Sequence, residues 1–334
     1  TTLGLQGQLV NNVWEGTNGT ADSYIVNEAW MATTLGKTTA KIGRMELDTP
    51  LVFSEKWSIV ANTFEAAVVI NQDVPDTVLV GAYVGGSNAS HGTQGTAGAG
   101  GGLVGLIGSA RPTATTVQNP DGSFSTTVNP GDTTFGQFWK GAYAAGAINN
   151  SFKPLTVQAW YYQAPQIATA YWLQADLACA KVPGLLAGLQ YTSVDLSAAT
   201  GGAFESNDAV AAMIGYDMKD VATVKLSYSQ VGNKNNASIA AKGFATGAGF
   251  NLSGTNQSKL YTEAWWNYGI VSTSDTSSFN LTVEAPVADV ADFGLYATMT
   301  DNGTSNRKTS EVTVTASKSV GPLDATLAAI YFDD

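Results

Sequence analysis

Apolar and polar residues alternate with a period of two along most of the chain. In the segment 155–162, one set of alternate positions reads Leu, Val, Ala, Tyr and the other reads Thr, Gln, Trp, Tyr. Successive side chains of a β-strand point to opposite faces, so this pattern predicts an amphipathic strand. The same alternation recurs at 224–229, 279–284, 312–317 and 323–328. The chain is therefore predicted to be all-β.

The predicted strands are long. About sixteen segments of roughly 8–13 residues fit the pattern, at 3–14, 24–35, 38–47, 63–71, 77–86, 142–150, 154–164, 168–180, 184–195, 209–218, 222–231, 259–269, 278–286, 292–300, 310–318 and 323–332. A typical globular strand has ~5–6 residues, whereas ~9–11 residues cross a bilayer at a steep tilt. A soluble sandwich would interrupt its strands with turns every ~8–12 residues. The lengths favour a transmembrane antiparallel β-barrel, whose closure pairs every backbone group in the membrane.

The connections differ in length between the two ends of the strands. Short connections rich in Gly, Pro and Asp occur at 36–37, 72–76, 150–153, 181–183, 219–221, 288–291 and 320–322. The others are mostly longer and polar, at 15–23, 48–62, 87–141, 196–208, 232–258 and 301–309, with short exceptions at 164–167 and around 272–277. Short turns on one rim and long loops on the other are typical of an outer-membrane barrel.

Strand direction restricts the count. If 222–231 runs towards the long loops and 278–286 runs away from them, an even number of strands must lie between them, yet only 259–269 is predicted there. The stretch 236–252 could contain another. We therefore expect 16–18 strands in one barrel domain over residues 1–334.

Composition excludes several other classes. The 334 residues include 16 Lys+Arg and 27 Asp+Glu, so the net charge is 16 − 27 = −11. Only 13% of residues are charged, against ~25% in average soluble domains, and the mean hydropathy is zero. An acidic chain without a basic patch is a poor partner for nucleic acid. No run of ~18 apolar residues predicts a transmembrane helix, and no repeat of ~20–50 residues predicts a solenoid.

Catalytic and cofactor motifs are sparse. The chain has one Cys and one His, Cys179 and His91, so disulfide scaffolds, multi-His metal sites and most catalytic triads are excluded. We expect no enzyme activity, no cofactor and no structural metal. Acidic turns such as 73–76 and 301–303 could hold Ca²⁺ weakly, although turn chemistry alone explains them.

The predicted polar face carries most of the charges. The pore-lining candidates are Glu28, Arg44, Glu65, Asp176, Asp217, Lys225, Glu263, Glu284 and Asp324. Arg44 and Glu46 share a face and could pair. An acidic lumen of low dielectric would favour cations.

The longest loop, 87–141, is the candidate constriction of the pore, because loops of more than ~15 residues are usually functional or disordered. Its ionisable candidates are His91, Arg111, Asp121 and Asp132. Solvent exposure alone would also explain the histidine.

Aromatic residues accompany the predicted strands. Eight Trp lie mostly in or beside them. Several of these, with Tyr83, Tyr191, Tyr228, Tyr268 and Tyr331, fall near strand ends. These positions favour aromatic girdles at the lipid–water boundary. The alternative is that strand aromatics simply reflect their high β-propensity.

The segment 41–51, KIGRMELDTPL, carries a family resemblance, followed by NTFEAAVVIN at 62–71 and DVPDT at 73–77. Further matching stretches are AWYYQ at 159–163, KLYTEAWWN at 259–267 and TASKS at 315–319. The chain resembles the major outer membrane protein family of Campylobacter-type bacteria, which is distantly related to OprD-type porins. The resemblance covers most of the chain.

The resemblance implies an 18-stranded, trimeric porin with a constriction loop and no catalytic residues. Its lipid partners would be outer-membrane lipid and lipopolysaccharide, and its solutes would be small, hydrophilic molecules and cations. Members usually end in a strand with a terminal aromatic and carry strand sequence upstream of a segment like 2–14. Here the last residues are YFDD, so terminal strands are expected to be missing.

Three functions remain open. The favoured one is a passive, weakly cation-preferring porin in the outer membrane of a Gram-negative bacterium. The alternative is a surface structural or adhesive β-barrel protein without a transport role, which the long Ser/Thr/Gly loops motivate. The third is a barrel enzyme or a transporter specific for one ligand.

Overall fold

A computed structural model describes most of the chain. The described residues are 1–10, 23–54, 61, 63–87, 113–118, 124–129, 136–165, 168–196, 206–234, 257–267, 269–288, 290–321 and 323–334. In these ranges the only helical element is a 3-10 turn at Ile270–Ser272. No helix of the described part has the length and apolar character needed to span a membrane.

The described residues contain seventeen strands, and fifteen of them form one sheet. The strands are β1 (Thr2–Val10), β2 (Ser23–Leu35), β3 (Thr38–Met45), β4 (Phe64–Asn71), β5 (Thr77–Ser87), β6 (Thr113–Gln118), β7 (Phe124–Asn129), β8 (Gly136–Asn149), β9 (Leu155–Ala164), β10 (Ala168–Ala178), β11 (Leu185–Leu196), β12 (Asn207–Met218), β13 (Ala222–Val231), β14 (Thr276–Val287), β15 (Ala291–Asn302), β16 (Arg307–Val320) and β17 (Leu323–Asp333). Within the large sheet each strand pairs antiparallel with its neighbours in chain order, and β5 pairs directly with β8. β6 and β7 form a separate hairpin.

The all-β, antiparallel prediction is confirmed, and every predicted strand except 259–269 overlaps an observed one. The prediction for 259–269 is wrong, because side chains rather than a neighbouring strand satisfy the backbone of this segment. Gln190 accepts a hydrogen bond from the Tyr261 amide, and Glu311 accepts from the amides of Trp266 and Asn267.

Direct pairing of β13 with β14 resolves the conflict over strand direction. An even number of strands had to lie between them in the sheet, and that number is zero. The stretch 236–252, which was considered for a further strand, lies outside the described residues.

Short turns follow the predicted rim. They join β2 to β3, β4 to β5, β8 to β9, β10 to β11, β12 to β13, β14 to β15 and β16 to β17, all at the same end of the sheet. Asp76 and Asp220 adopt positive φ angles of 52° and 63° in two of these turns. Aspartate tolerates this conformation better than most residues with a Cβ, which explains its place there.

The two faces of the sheet meet different surroundings. The segments 46–54 and 257–275 lie against one face, which we call the inner face. The outer face exposes large apolar side chains on strand after strand, among them Leu5, Met31, Ile42, Val69, Leu79, Leu173, Leu189, Ile214, Leu226, Phe279, Met299 and Val314. An exposed apolar surface that spans so many strands is typical of a membrane or protein interface.

Aromatic pairs join neighbouring strands on the outer face. Ring centroids lie 5.3 Å apart for Tyr83 and Tyr143, 5.4 Å for Tyr161 and Tyr171, and 4.9 Å for Tyr228 and Phe279. Tilted pairs at these distances add to sheet stability beyond the area that they bury.

β1 and β17 are the two edges of the sheet, and no ladder joins them. Because the fifteen strands alternate in direction, the first and the last run parallel to each other. A direct pairing of these two edges would thus be parallel, whereas every other pairing in the sheet is antiparallel.

Tight packing over Gly146 predicts a size limit at this position. A Cβ there would lie 2.3 Å from the Trp160 ring, whereas a Cβ at Gly81 would meet nothing within 4 Å. We expect Gly146→Val to lower the free energy of unfolding by about 1–3 kcal/mol through overpacking. Gly81→Val, also in a strand, is the control and should be neutral. Urea unfolding in detergent, followed by tryptophan fluorescence, measures both, and equal stabilities would contradict this packing.

Candidate functional site

The inner face carries alternating tryptophan and polar side chains. The indole N–H of Trp160 donates to Gln158 Oε1 at 2.8 Å, and that of Trp172 donates to Gln174 Oε1 at 3.0 Å. Each partner is two residues away on the same strand, so both side chains share a face. The indole groups thus obtain acceptors while their rings are buried.

Three tryptophans therefore do not form a girdle at the lipid boundary. Trp30, Trp160 and Trp172 lie on the inner face, where Trp30 donates to Glu28 at 3.0 Å. Tyr83, Tyr191, Tyr228 and Tyr331 are exposed on outer positions, where a girdle requires them. Trp14, Trp57 and Tyr268 lie outside the described residues.

The segment 257–275, which precedes β14 in the chain, crosses the inner face of the sheet. Gln190 on β11 donates to the Lys259 carbonyl at 2.9 Å and accepts from the Tyr261 amide at 3.0 Å. The Tyr261 hydroxyl donates to Asp176 on β10 at 2.5 Å, and its ring lies over Gly188. These contacts tie the start of the segment to β10 and β11.

The rest of the segment extends along the inner face to β13 and β16. Thr262 and Ser229 on β13 share a hydrogen bond of 2.6 Å. Glu311 on β16 accepts from the amides of Trp266 and Asn267 at 2.8 and 2.6 Å. A single segment therefore contacts strands from β10 to β16 and covers the inner face between them.

Glu263 holds this segment in its fold. Its Oε2 accepts from the amide and hydroxyl of Ser258 at 2.7 and 2.6 Å, and its Oε1 accepts from the amides of Ala264 and Gly269 at 3.1 and 2.9 Å. Burial raises the pKa of Glu263 to about 7, and the four hydrogen bonds act in the opposite direction. The carboxylate serves as an internal acceptor that closes the turn 258–269.

The segment 46–54 covers a second part of the inner face. Leu51, Val52 and Phe53 are buried, and the Leu51 amide lies 3.4 Å from the hydroxyl of Tyr162 on β9, to which it donates. Together with β5, β8, β9 and β10, this segment encloses a small, almost entirely apolar cavity. The segment 46–54 has a fixed position because its apolar side chains pack against the sheet.

The two inward segments are joined to each other. Lys259 forms an ion pair and a hydrogen bond with Asp48, and its ammonium lies 5.0 Å from the centroid of the Phe53 ring. We call this contact the Lys259 link. It connects the chain after β3 to the chain before β14, so the two segments act as one layer on the inner face.

Most predicted pore-lining residues lie on inner positions. Lys225 pairs with Glu284 at 3.5 Å, and the Tyr296 hydroxyl donates to Glu284 at 3.1 Å. Thr223 donates to Asp217 at 3.2 Å, and Ser319 donates to Asp324 at 2.5 Å. Asp217 and Asp324 both adjoin short turns.

Arg44 and Glu65 are brought together in a different setting. Their side chains pair at 3.1 Å, and Arg44 also donates to the Val26 carbonyl at 2.8 Å. Along β3 and β4 they share a face with Ile42 and Ala67. Met45 and Phe64 lie on the opposite face. Their role as pore-lining residues stays a prediction.

The candidates of the long loop 87–141 have no described surroundings. His91, Arg111, Asp121 and Asp132 lie outside the described residues. The described part of this loop contains the hairpin of β6 and β7 and the start of β8. Constriction by this loop stays a prediction.

Sequence reasoning missed that 257–275 is an inward segment. The conflict over strand direction was the signal available, because a single strand could not fit between β13 and β14. Within the described residues there is no grouping of three or more His, Cys, Asp or Glu side chains suited to a metal.

The chain is similar in fold to solved β-barrel porins of Pseudomonas aeruginosa. OccK8 (OprE) matches with a TM-score of 0.67 and 14% identity over 98% of this chain and 82% of its own. OccK11 (OpdR) matches with a TM-score of 0.66 and 11% identity over 93% and 76%. OpdK, solved with vanillate, matches with a TM-score of 0.65 and 13% identity over 97% of this chain and 78% of its own.

No protein-family model and no curated protein sequence matches the chain. At these identities the likeness shows the fold, which is that of a transmembrane β-barrel.

Proposed function

We propose that the protein is a bacterial outer-membrane porin through which small hydrophilic solutes and ions diffuse. The observation that carries this proposal is the division of one sheet into an apolar outer face and a polar inner face. In a membrane barrel the apolar face meets lipid and the polar face lines an aqueous lumen. The fold shared with Pseudomonas porins supports the same function and location.

The two inward segments narrow the lumen in this proposal. They lie on the inner face, contact strands from β5 to β16 and are joined by the Lys259 link. Because some of their backbone groups are hydrogen-bonded to Tyr162, Gln190 and Glu311 of the wall, they form a fixed constriction rather than a loose loop. The function is passive transport, and no catalytic step is assigned to the lumen.

A weak preference for cations follows from the acidic residues. Asp217 and Asp324 lie near one rim of the inner face, where their partners are uncharged hydroxyl groups. Carboxylates in a narrow, partly desolvated passage raise the local concentration of cations.

The finer assignments are also proposals. The segment 41–51 supports a place in the Campylobacter-type porin family, and the fold supports the broader OprD-like likeness. We further infer a homotrimer in contact with lipopolysaccharide, and at most weak Ca²⁺ binding at the acidic turns. The 87–141 loop is proposed to add to the constriction.

Conductance tests the function directly. The detergent-purified protein, added to a planar bilayer, should produce discrete current steps, and under a KCl gradient the reversal potential should show a preference for K⁺. Absence of steps at any protein concentration would refute the porin. A preference for Cl⁻ would refute the charge argument alone.

The source of the cation preference can be tested with a double substitution. Asp217→Asn with Asp324→Asn should move the reversal potential towards zero. The shift should be larger in 0.1 M than in 1 M salt, since the Debye length falls from ~10 Å to ~3 Å. Asp73→Asn, in a short turn, is the control and should leave the potential unchanged. An equal shift in the control would mean that the inner-face positions of Asp217 and Asp324 have no special part.

The Lys259 link should limit the motion of the constriction. Lys259→Met removes the ion pair with Asp48 and should increase current fluctuations in the open channel, because the two segments then move independently. Lys153→Met removes an exposed ion pair with Asp76 in a short turn and should leave the current trace unchanged. Matching traces for both variants would show that the link does not hold the constriction.

A further inference from the structure

An aromatic surface lies where the inward segment meets the wall. The rings of Trp265 and Trp266 are stacked, with centroids 6.4 Å apart and planes at 20°. Trp265 also stacks on Tyr296 of β15, at 6.2 Å and 28°. Three rings therefore form a continuous array that joins the inward segment to the wall.

Part of this array faces water. Trp266 is 49% exposed, and away from the edge strand β17 it is the one exposed large apolar side chain that the described residues place on the inner surface. Exposed aromatic area is costly in water and is available for stacking with a ligand. Exposure of Trp266 inside a polar lumen thus distinguishes it from Trp160 and Trp172, which are buried there.

Charged groups of both signs lie at the edge of the array. The Tyr296 hydroxyl donates to Glu284 Oε1 at 3.1 Å, and Lys225 Nζ lies 3.5 Å from Glu284 Oε2. The side chains of Lys225 and Glu284 remain 35% and 47% exposed. The site therefore offers a donor and an acceptor side by side, with no net charge.

This combination selects a class of ligand. An anion would be opposed by Glu284 and a cation by Lys225, so neither charge is favoured. A sugar has an apolar face formed by its C–H groups and hydroxyls that both donate and accept hydrogen bonds. Aromatic stacking with a few polar groups at the edge is the general form of a small-molecule site.

We propose that Trp265, Trp266 and Tyr296, with Glu284 and Lys225 at their edge, form a subsite in the lumen for neutral sugars. The rings bind the apolar face of the sugar, and the two charged side chains bind its hydroxyls. Gly294 helps to set the wall of this site, since a Cβ there would lie 2.6 Å from the Tyr296 ring. The proposal rests on the proposed channel function, because sugars reach the subsite through the lumen.

Two measurements with maltose as the probe test the subsite. In planar bilayers, maltose should reduce the open-channel current of the native protein saturably, and equimolar benzoate or tetramethylammonium should not reduce it in this manner. In detergent, saturation-transfer NMR should detect maltose bound to the same protein. Trp266→Leu should weaken maltose binding about two- to tenfold, as expected for one aromatic contact. Trp266→Phe should retain most of the affinity.

Controls separate this subsite from the channel itself. Phe279→Leu removes an exposed aromatic ring from the outer face and should change neither maltose binding nor ion conduction. Channels that conduct ions but whose current maltose does not reduce would overturn the subsite without contradicting the proposed porin function. Absence of channels would refute the porin, and the NMR measurement would still decide the sugar site. Stronger binding of benzoate or tetramethylammonium than of maltose would also overturn the subsite.

Discussion

Pairing of backbone N–H and C=O groups is the constraint on which this structure depends. In a membrane an unpaired group costs several kcal/mol, so strands must be paired along their whole length. Fourteen consecutive antiparallel pairings meet this need between β1 and β17. Pairing in a regular ladder also fixes the direction of every side chain. The outer positions are then free to be apolar and the inner positions free to be polar, which accounts for a mean hydropathy of zero with few charges.

The inward segment 257–275 meets the same constraint in another way. It has no neighbouring strand, so its amides donate to side chains, chiefly the carboxylates of Glu263 and Glu311 and the amide of Gln190. Glu311 is only 1% exposed. Burial of a carboxylate is costly, but charge-assisted hydrogen bonds from the backbone offset that cost. Side chains of the wall, together with Glu263 of the segment itself, thus replace a ladder and hold the segment in one position.

The difference between local and distant partners explains how much the sequence could predict. Strand positions and short turns follow from neighbouring residues, and the alternation at 155–162 or the aspartates at 76 and 220 indicated them directly. The inward segment depends on Gln190 and Glu311, which lie far away in the chain. Its alternation of Leu260, Thr262 and Ala264 reflects burial against the wall, and this pattern is the same as in a strand. The alternation at 155–162 already put Trp160 among the polar positions, and the structure gives its indole an acceptor there.

The charge that the lumen presents is smaller than the net −11 of the chain suggests. Glu263 and Glu311 are occupied by backbone donors, and Asp176 accepts from Tyr261 and Gln174. Glu284 is balanced by Lys225. Carboxylates that build the wall contribute little to the field felt by a passing ion, because their hydrogen-bond donors neutralise part of it. Among the described candidates on the inner face, Asp217 and Asp324 have hydroxyl partners and lie beside the short turns. The proposed ion preference is therefore assigned to that rim, and the proposed subsite for uncharged, hydroxyl-bearing solutes to the interior beside the inward segment 257–275.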